Sequence, residues 1–242
     1  MGLAEAILAI VIIVALEAIL SVDNAMVLAV MVKPLPPELR KKALLYGIIG
    51  AYVLRGLALL FATVVINIWW IQVLGGVYLI YLAVKFFLSR QSNEIRSPEE
   101  EVKASVQQSF WRIVVMVNVV DLAFAIDSVL VVVAFSKVFW VIFTGVAIGI
   151  LLIRLAAGWM VRVMEHYPRL EQVAYAVVGW AGVKLVVEGW AKAAELMGRP
   201  ELAPHLPQAV FWAGTLGILL VGGFLALRAP QPDPVEEDAQ RD

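Results

Sequence analysis

Apolar residues run along this chain in long blocks, with polar residues gathered into the intervals between them. Seven blocks reach the length that an apolar helix needs to cross a bilayer, about 17–25 residues. They lie at approximately residues 3 to 32, 43 to 65, 69 to 88, 110 to 135, 138 to 157, 173 to 190 and 209 to 228. A bilayer offers no water to satisfy exposed backbone groups, so isolated blocks of this kind cross it as helices. The pattern predicts an all-α polytopic membrane protein with seven transmembrane helices. It also divides the chain into a three-helix unit over 1–88, a cytoplasmic linker over 89–109 and a second three-helix unit over 110–190. An external loop over 191–208, with a short surface helix, then leads to a seventh helix over 209–228 and a tail over 229–242. The first block is too long for the apolar region of a signal peptide and has no basic leader, which predicts a resident helix. The tail is polar and Pro-rich and reads as disordered.

Lysine and arginine placement sets an orientation. Lys33, Arg40, Lys41 and Lys42 fill the first connection, and Arg90, Arg96, Lys103 and Arg112 surround the third. Arg162 and Arg169 flank the fifth, and Arg228 ends the last block. Seven spans put all of these on one side, which the positive-inside bias makes cytoplasmic. The N-terminus is then outside and the C-terminus inside.

Composition agrees with a membrane class and removes others. The chain is 62% apolar and 16% charged, with a mean hydropathy of +0.88, whereas soluble domains sit near half apolar and a quarter charged. A formal net charge of -1 offers no polyanion surface, so no nucleic-acid partner is expected. With no cysteine, disulfides and thiolate metal sites are excluded, and two histidines, His166 and His205, do not make a multi-histidine zinc centre.

Within this apolar background one motif occurs twice. Residues 17–24 read EAILSVDN and residues 121–128 read DLAFAIDS. At an offset of 104, Glu17 meets Asp121, Asp23 meets Asp127, Asn24 meets Ser128 and Lys33 meets Lys137. Past the first long connection the best offset becomes 99, matching Gly50 to Gly149, Arg55 to Arg154 and AVK at 83–85 to GVK at 182–184. Helices one to three then repeat as four to six. Three is odd, so the units would cross in opposite senses as a 3+3 inverted repeat plus one extra C-terminal helix, an arrangement common in transporters.

The paired motifs carry the candidate chemistry. A charged side chain inside an apolar span is costly and is usually functional. Glu17, Asp23, Asn24, Asp121 and Asp127, with Asn118 and Ser128 nearby, form a hard oxygen-rich set suited to Mn²⁺, Ca²⁺ or Mg²⁺. Four ionised carboxylates would overcompensate a divalent ion, so protonation, or Arg55 and Arg154, must balance the rest. Proton exchange against metal is the natural consequence. Glu17 and Asp23 are six residues apart, about 9 Å along a regular helix and on different faces. Either the helix breaks near Leu20 and Ser21, or only one carboxylate per motif touches the ion. Interhelical polar clamps are the plain structural alternative. Lys85 and Lys184 read as snorkelling residues near helix ends, and Glu165, His166, Glu171 and Glu188 as residues facing water.

These residues also carry a resemblance. EAILSVDNA and DLAFAIDS, with GIIGAYVLRG at 47–56 and LGGVYLIYLAVKF at 74–86, resemble the TerC family of integral membrane proteins, within the LysE-like transporter superfamily. The match covers nearly all of residues 3–228 and is similar to the compact bacterial branch without appended cytoplasmic domains. It implies a multi-pass protein of the bacterial inner membrane that exports divalent metal, above all manganese, with no cofactor beyond that transported ion. A Ca²⁺/H⁺ exchanger, or a membrane metal chaperone serving an exported metalloenzyme or a translocation partner, would use the same residues. An intramembrane enzyme with paired carboxylates as acid and base is the alternative of a different class. No Walker-type phosphate loop occurs, so the sequence does not support ATP-driven work. A homo-oligomer is compatible with the sequence.

Overall fold

The computed structural model describes residues 2–20, 22–61, 67–91, 102–135 and 138–228. These are helical almost throughout. In chain order they form α1 (Leu3–Leu20), α2 (Val22–Val32), α3 (Pro37–Leu60), α4 (Trp69–Gln91), α5 (Val102–Phe135), α6 (Phe139–His166) and α7 (Leu170–Leu196). A 3₁₀ turn at Pro200–Leu202 leads to α8 (Gln208–Gly217), which passes through a π-helical turn at Ile218–Gly222 into α9 (Gly223–Arg228).

Local chemistry sets the ends. Pro37 starts α3, where its missing N–H would have no partner in any case. After α7 the chain turns at Gly198, whose φ of 70° suits a residue without a Cβ. There the Gly198 N–H donates to the Glu195 carbonyl at 3.0 Å and the Arg199 N–H to the Ala194 carbonyl at 2.9 Å, the pair of bonds that closes a Schellman motif.

Packing makes α2 and α5 the interior helices. Val27, Ala29 and Val32 on α2 and Val117 and Ala123 on α5 are fully buried, in one cluster with Ala43, Ala157, Val178 and Leu185 from α3, α6 and α7. The outward faces of the bundle carry large apolar side chains, such as Leu45, Leu155 and Leu220, as a lipid-facing surface does. Between α4 and α7 the backbones nearly touch. A Cβ on Gly76 would lie 2.6 Å from the Gly182 carbonyl oxygen, and one on Gly182 would lie 2.8 Å from that of Gly76.

The expected seven spans and the 3+3 inverted repeat are not found. Among the described residues five helices are long and apolar enough to cross a membrane: Pro37–Leu60, Trp69–Leu88, Phe139–His166, Leu170–Leu196 and Gln208–Ala226. A sixth is reached if the bent pair Leu3–Ala18 and Asp23–Val32 counts as one broken span. The first block is therefore two helices with axes 58° apart. Its expected counterpart lies within one continuous helix of 34 residues, α5, so the sequence echo does not reproduce as a repeat of like elements. The N-outside, C-cytoplasmic orientation rested on an odd count of seven and falls with it. The boundaries move as well: α6 and α7 run to His166 and Leu196, past the ends expected at 157 and 190. The tail beyond Arg228, residues 92–101 of the 89–109 linker, Ser21 and Lys137 lie outside the described residues, and 102–109 belong to α5.

The α4–α7 contact makes a testable claim. Gly182→Val should lower the thermal unfolding temperature in detergent, by an overpacking cost on the order of 1–3 kcal/mol. Gly217→Ala, where a new Cβ would meet nothing within 4 Å, should leave it unchanged. An unaltered transition for the Gly182 variant would refute the close approach.

Candidate functional site

Four helices bring four charges to one buried point. Glu17 on α1, Arg55 on α3, Asp121 on α5 and Arg154 on α6 are each at most 4% exposed. Arg55 Nη1 donates to Glu17 Oε2 at 2.7 Å, and its Nη2 lies 3.6 Å from Asp121 Oδ1. Arg154 Nη2 lies 4.0 Å from that same Asp121 oxygen and donates to the Gly47 carbonyl at 3.2 Å. Two carboxylates and two guanidiniums leave no net charge, the condition under which ions tolerate burial.

Glycines make the room. A Cβ on Gly149 of α6 would sit 2.8 Å from Glu17 Cβ, and one on Gly47 of α3 would sit 3.0 Å from Arg154 Nη1. At Gly50 a Cβ would fall 2.1 Å from the Asn118 side-chain oxygen, inside any tolerable contact. Asn118 uses its Nδ2 to donate to the Val114 carbonyl at 2.8 Å. Its Oδ1 has no hydrogen-bond partner among the described residues. Ser128, buried one helical turn beyond Phe124, donates to the Ala125 carbonyl at 3.3 Å, a local bond that spends its hydroxyl within α5.

Asp23 stands apart from this cluster. The end of α1 at Leu20 and the start of α2 at Val22 separate it from Glu17, so the two carboxylates of the first motif belong to different helices. Asp23 is 3% exposed, and no ion pair joins it to Arg55 or Arg154 among the described residues. Its Oδ1 accepts from the Asn24 backbone N–H at 3.1 Å in the first turn of α2. Carboxylates are favoured at such a helix start. The cation that reaches it electrostatically is Lys184 of α7, which also lies 3.6 Å from Glu188 Oε1 and over the Phe211 ring. Asn24 is 4% exposed, and its side-chain oxygen has no partner among the described residues. Asp127 lies on α5 six residues after Asp121, and its side chain is outside the described residues. No group of three or more Asp, Glu and His side chains capable of holding a metal comes together among the described residues.

Thus Glu17, Asp121, Arg55 and Arg154 converge, with Asn118 close against the same helix pair, whereas Asp23 and Asn24 form a second locus past the break. Sequence reasoning reads Lys184 as a residue near a helix end and misses its electrostatic reach to Asp23. The signal was its register in the GVK echo of AVK at 83–85. Glu165 is exposed, as expected, and pairs with Arg40 of α3, while Glu171, only partly exposed, pairs with Lys33 just after α2.

The cluster predicts a specific pattern of stability. Arg55→Gln leaves Glu17 charged and buried without its partner, which should cost about 3–5 kcal/mol. Adding Glu17→Gln should recover a large part of that loss, because both charges are then gone. Thermal unfolding of the two single variants and the double variant in detergent measures the coupling, and purely additive losses would show that the pair is not one unit.

Comparison with known proteins agrees with this picture of a helical membrane chain. Residues 3–231 match the family model described as "Integral membrane protein TerC family". The chain is similar to the uncharacterized membrane protein YkoY of Bacillus subtilis (strain 168), at 34% identity over 94% of this chain and 74% of that one. It is likewise similar to the uncharacterized membrane protein YceF of the same organism, at 40% identity over 71% of this chain and 68% of the relative. The UPF0053 inner membrane protein YgdQ of Escherichia coli (strain K12) is 28% identical over 72% of this chain and 78% of its own length. No solved structure matches. On its match along almost the whole length and on these relatives, the chain belongs to the TerC family of integral membrane proteins.

Proposed function

We propose that this chain is a secondary transporter of the bacterial cytoplasmic (inner) membrane that exports divalent metal ions, Mn²⁺ above all, in exchange for protons. The observation that carries the reading is the second locus. Asp23 is a buried carboxylate at the junction of α1 and α2, and beside it the oxygen of Asn24 has no partner among the described residues. A carboxylate and an amide oxygen are hard donors, matched to Mn²⁺, Ca²⁺ or Mg²⁺. A break in a membrane helix also frees backbone carbonyls beside a site, as transport sites require.

The arginines divide the labour. Glu17 and Asp121 are occupied by Arg55, with Arg154 close by, so they set the field around the ion and do not neutralise it. Asp23 is the carboxylate left to meet metal on the first motif. Asp127 is assigned the same part on the second by its match to Asp23 in sequence. Two carboxylates balance one divalent ion, which removes the excess negative charge that four would impose. When the ion leaves, those carboxylates take up protons or lean on Lys184, and the next ion displaces what they hold. Few fixed ligands suit this task, because a carrier must release what it binds.

The same division argues against acid–base hydrolysis. Carboxylates held in ion pairs with arginine are poor candidates for an acid and a base, and the chain is not an enzyme on this reading.

Purified protein in proteoliposomes with an internal Mn²⁺-sensitive dye tests the proposal. A pH gradient should drive Mn²⁺ flux, and Asp23→Asn or Asp127→Asn should reduce it at least tenfold while the folded protein is retained. Undiminished flux in both variants would sink the site. Ca²⁺ moved in preference to Mn²⁺ would make the chain a calcium exchanger, and ion binding without flux would favour the chaperone reading.

A further inference from the structure

A second polar feature lies away from the transport locus, on the outer side of the α3–α6 pair. The N-terminal part of α3 and the C-terminal part of α6 enclose a cavity of about 500 Å³. Arg40, Lys41 and Arg162 stand around it with Glu165, and Arg154 lines it as well. Four cations therefore face one carboxylate, and that carboxylate is already taken by Arg40. The remaining walls are apolar. Leu45 and Leu155, which line it, are 55% and 62% exposed on the surface that faces lipid.

This is an amphipathic cavity with a strong positive bias, and one of its cations is incompletely satisfied. Arg154 is 4% exposed, and its Nη1 has no hydrogen-bond partner among the described residues. Gly47, whose carbonyl accepts from Arg154 Nη2, is seven residues along α3 from Arg40, about 10 Å down the helix axis. A ligand that fits must have an anionic group at the polar end, acceptor oxygens deeper in and an apolar portion facing the bilayer. Phospholipids have this order of groups: phosphate, glycerol esters, then acyl chains. A basic pocket between membrane helices binds anionic headgroups for the same electrostatic reason.

The geometry points to an anionic phospholipid site between α3 and α6. Its phosphate is held by Lys41 and Arg162, with Arg40 partly engaged by Glu165. The Leu45 and Leu155 walls pack against the upper acyl chain. Arg154 lines the same cavity, which places one lipid beside a member of the buried charge cluster.

The full chain, purified and stripped of lipid in detergent, provides the test. Phosphatidylglycerol, phosphatidylcholine and inorganic phosphate are added separately, and bound lipid is counted by native mass spectrometry alongside thermal unfolding. Phosphatidylglycerol should be retained and should raise the unfolding temperature by several degrees more than phosphatidylcholine. The double substitution Lys41→Gln/Arg162→Gln should abolish most of that difference, while Lys42→Gln, a neighbouring exposed lysine outside the cavity, should keep it. Gly158→Leu fills the cavity without changing charge; its new Cβ would meet Leu44 at an ordinary 3.8 Å, so it serves if the double variant fails to fold. It too should lose the preference. Equal effects of the two lipids, an intact preference in the double variant or in Gly158→Leu, or a full shift with inorganic phosphate alone would each overturn the assignment.

Discussion

A guanidinium buried to 1% exposure within a helical bundle keeps its charge only if carboxylates are brought to it, and that requirement organises this molecule. Arg55 on α3 draws Glu17 from α1 and Asp121 from α5 to one place, and Arg154 on α6 closes the set. Side chains of this length need space, so the helices that carry them must also offer positions without side chains. Gly47, Gly50 and Gly149 supply it against Arg154, Asn118 and Glu17 respectively. The electrostatic demand and the glycine positions are thus two sides of one packing solution, and it fixes α1, α3, α5 and α6 relative to one another.

Once those charges are committed to each other, the break after α1 acquires meaning. A straight helix through residues 3–32 would carry Asp23 onward on the same rod as Glu17, about 9 Å further along. The 58° change of direction instead hands Asp23 to α2, the most enclosed helix of the bundle, within electrostatic reach of Lys184 of α7. The first motif therefore serves two functions with two similar residues. One carboxylate is paired with arginine, and the other has no arginine partner among the described residues and feels the charge of Lys184. Lysine suits that second part better than arginine, since its single ammonium on a flexible stem makes no fixed fork with a carboxylate.

Much of this was legible in the sequence, and the exceptions have physical causes. The apolar blocks marked the helices because a bilayer admits few other structures, and the echo of Arg55 in Arg154 marked a pair that does meet a shared carboxylate. The stereochemistry of Glu17 and Asp23 makes a break near Leu20 one of two outcomes. Block counting failed where it assumed that an uninterrupted apolar run is one straight helix. Hydropathy does not register a bend, and residues 3–32 read the same whether bent or straight. The inverted repeat failed for a related reason: matched residues at a fixed offset record resemblance in side chains, whereas the elements that carry them are a bent pair in one case and a continuous 34-residue helix in the other. The roles of Glu165 and Glu171 were hidden because their partners, Arg40 and Lys33, lie more than a hundred residues away in sequence.

Arg154 links the interior to the membrane. One of its nitrogens bonds the α3 backbone at Gly47 and approaches Asp121, and the residue also lines the cavity that opens toward lipid. Its place in the charge set is the looser one, 4.0 Å from Asp121 against the 2.7 Å contact of Arg55 with Glu17. An acceptor arriving from the lipid side would compete for this guanidinium and weaken its hold on Asp121, while Arg55 would keep its contacts with Glu17 and Asp121. The cluster thus contains one rigid cation and one adjustable cation. Of the two, only Arg154 lines the cavity between α3 and α6, so a ligand there reaches the charge set through the looser contact and leaves the Arg55–Glu17 pair in place.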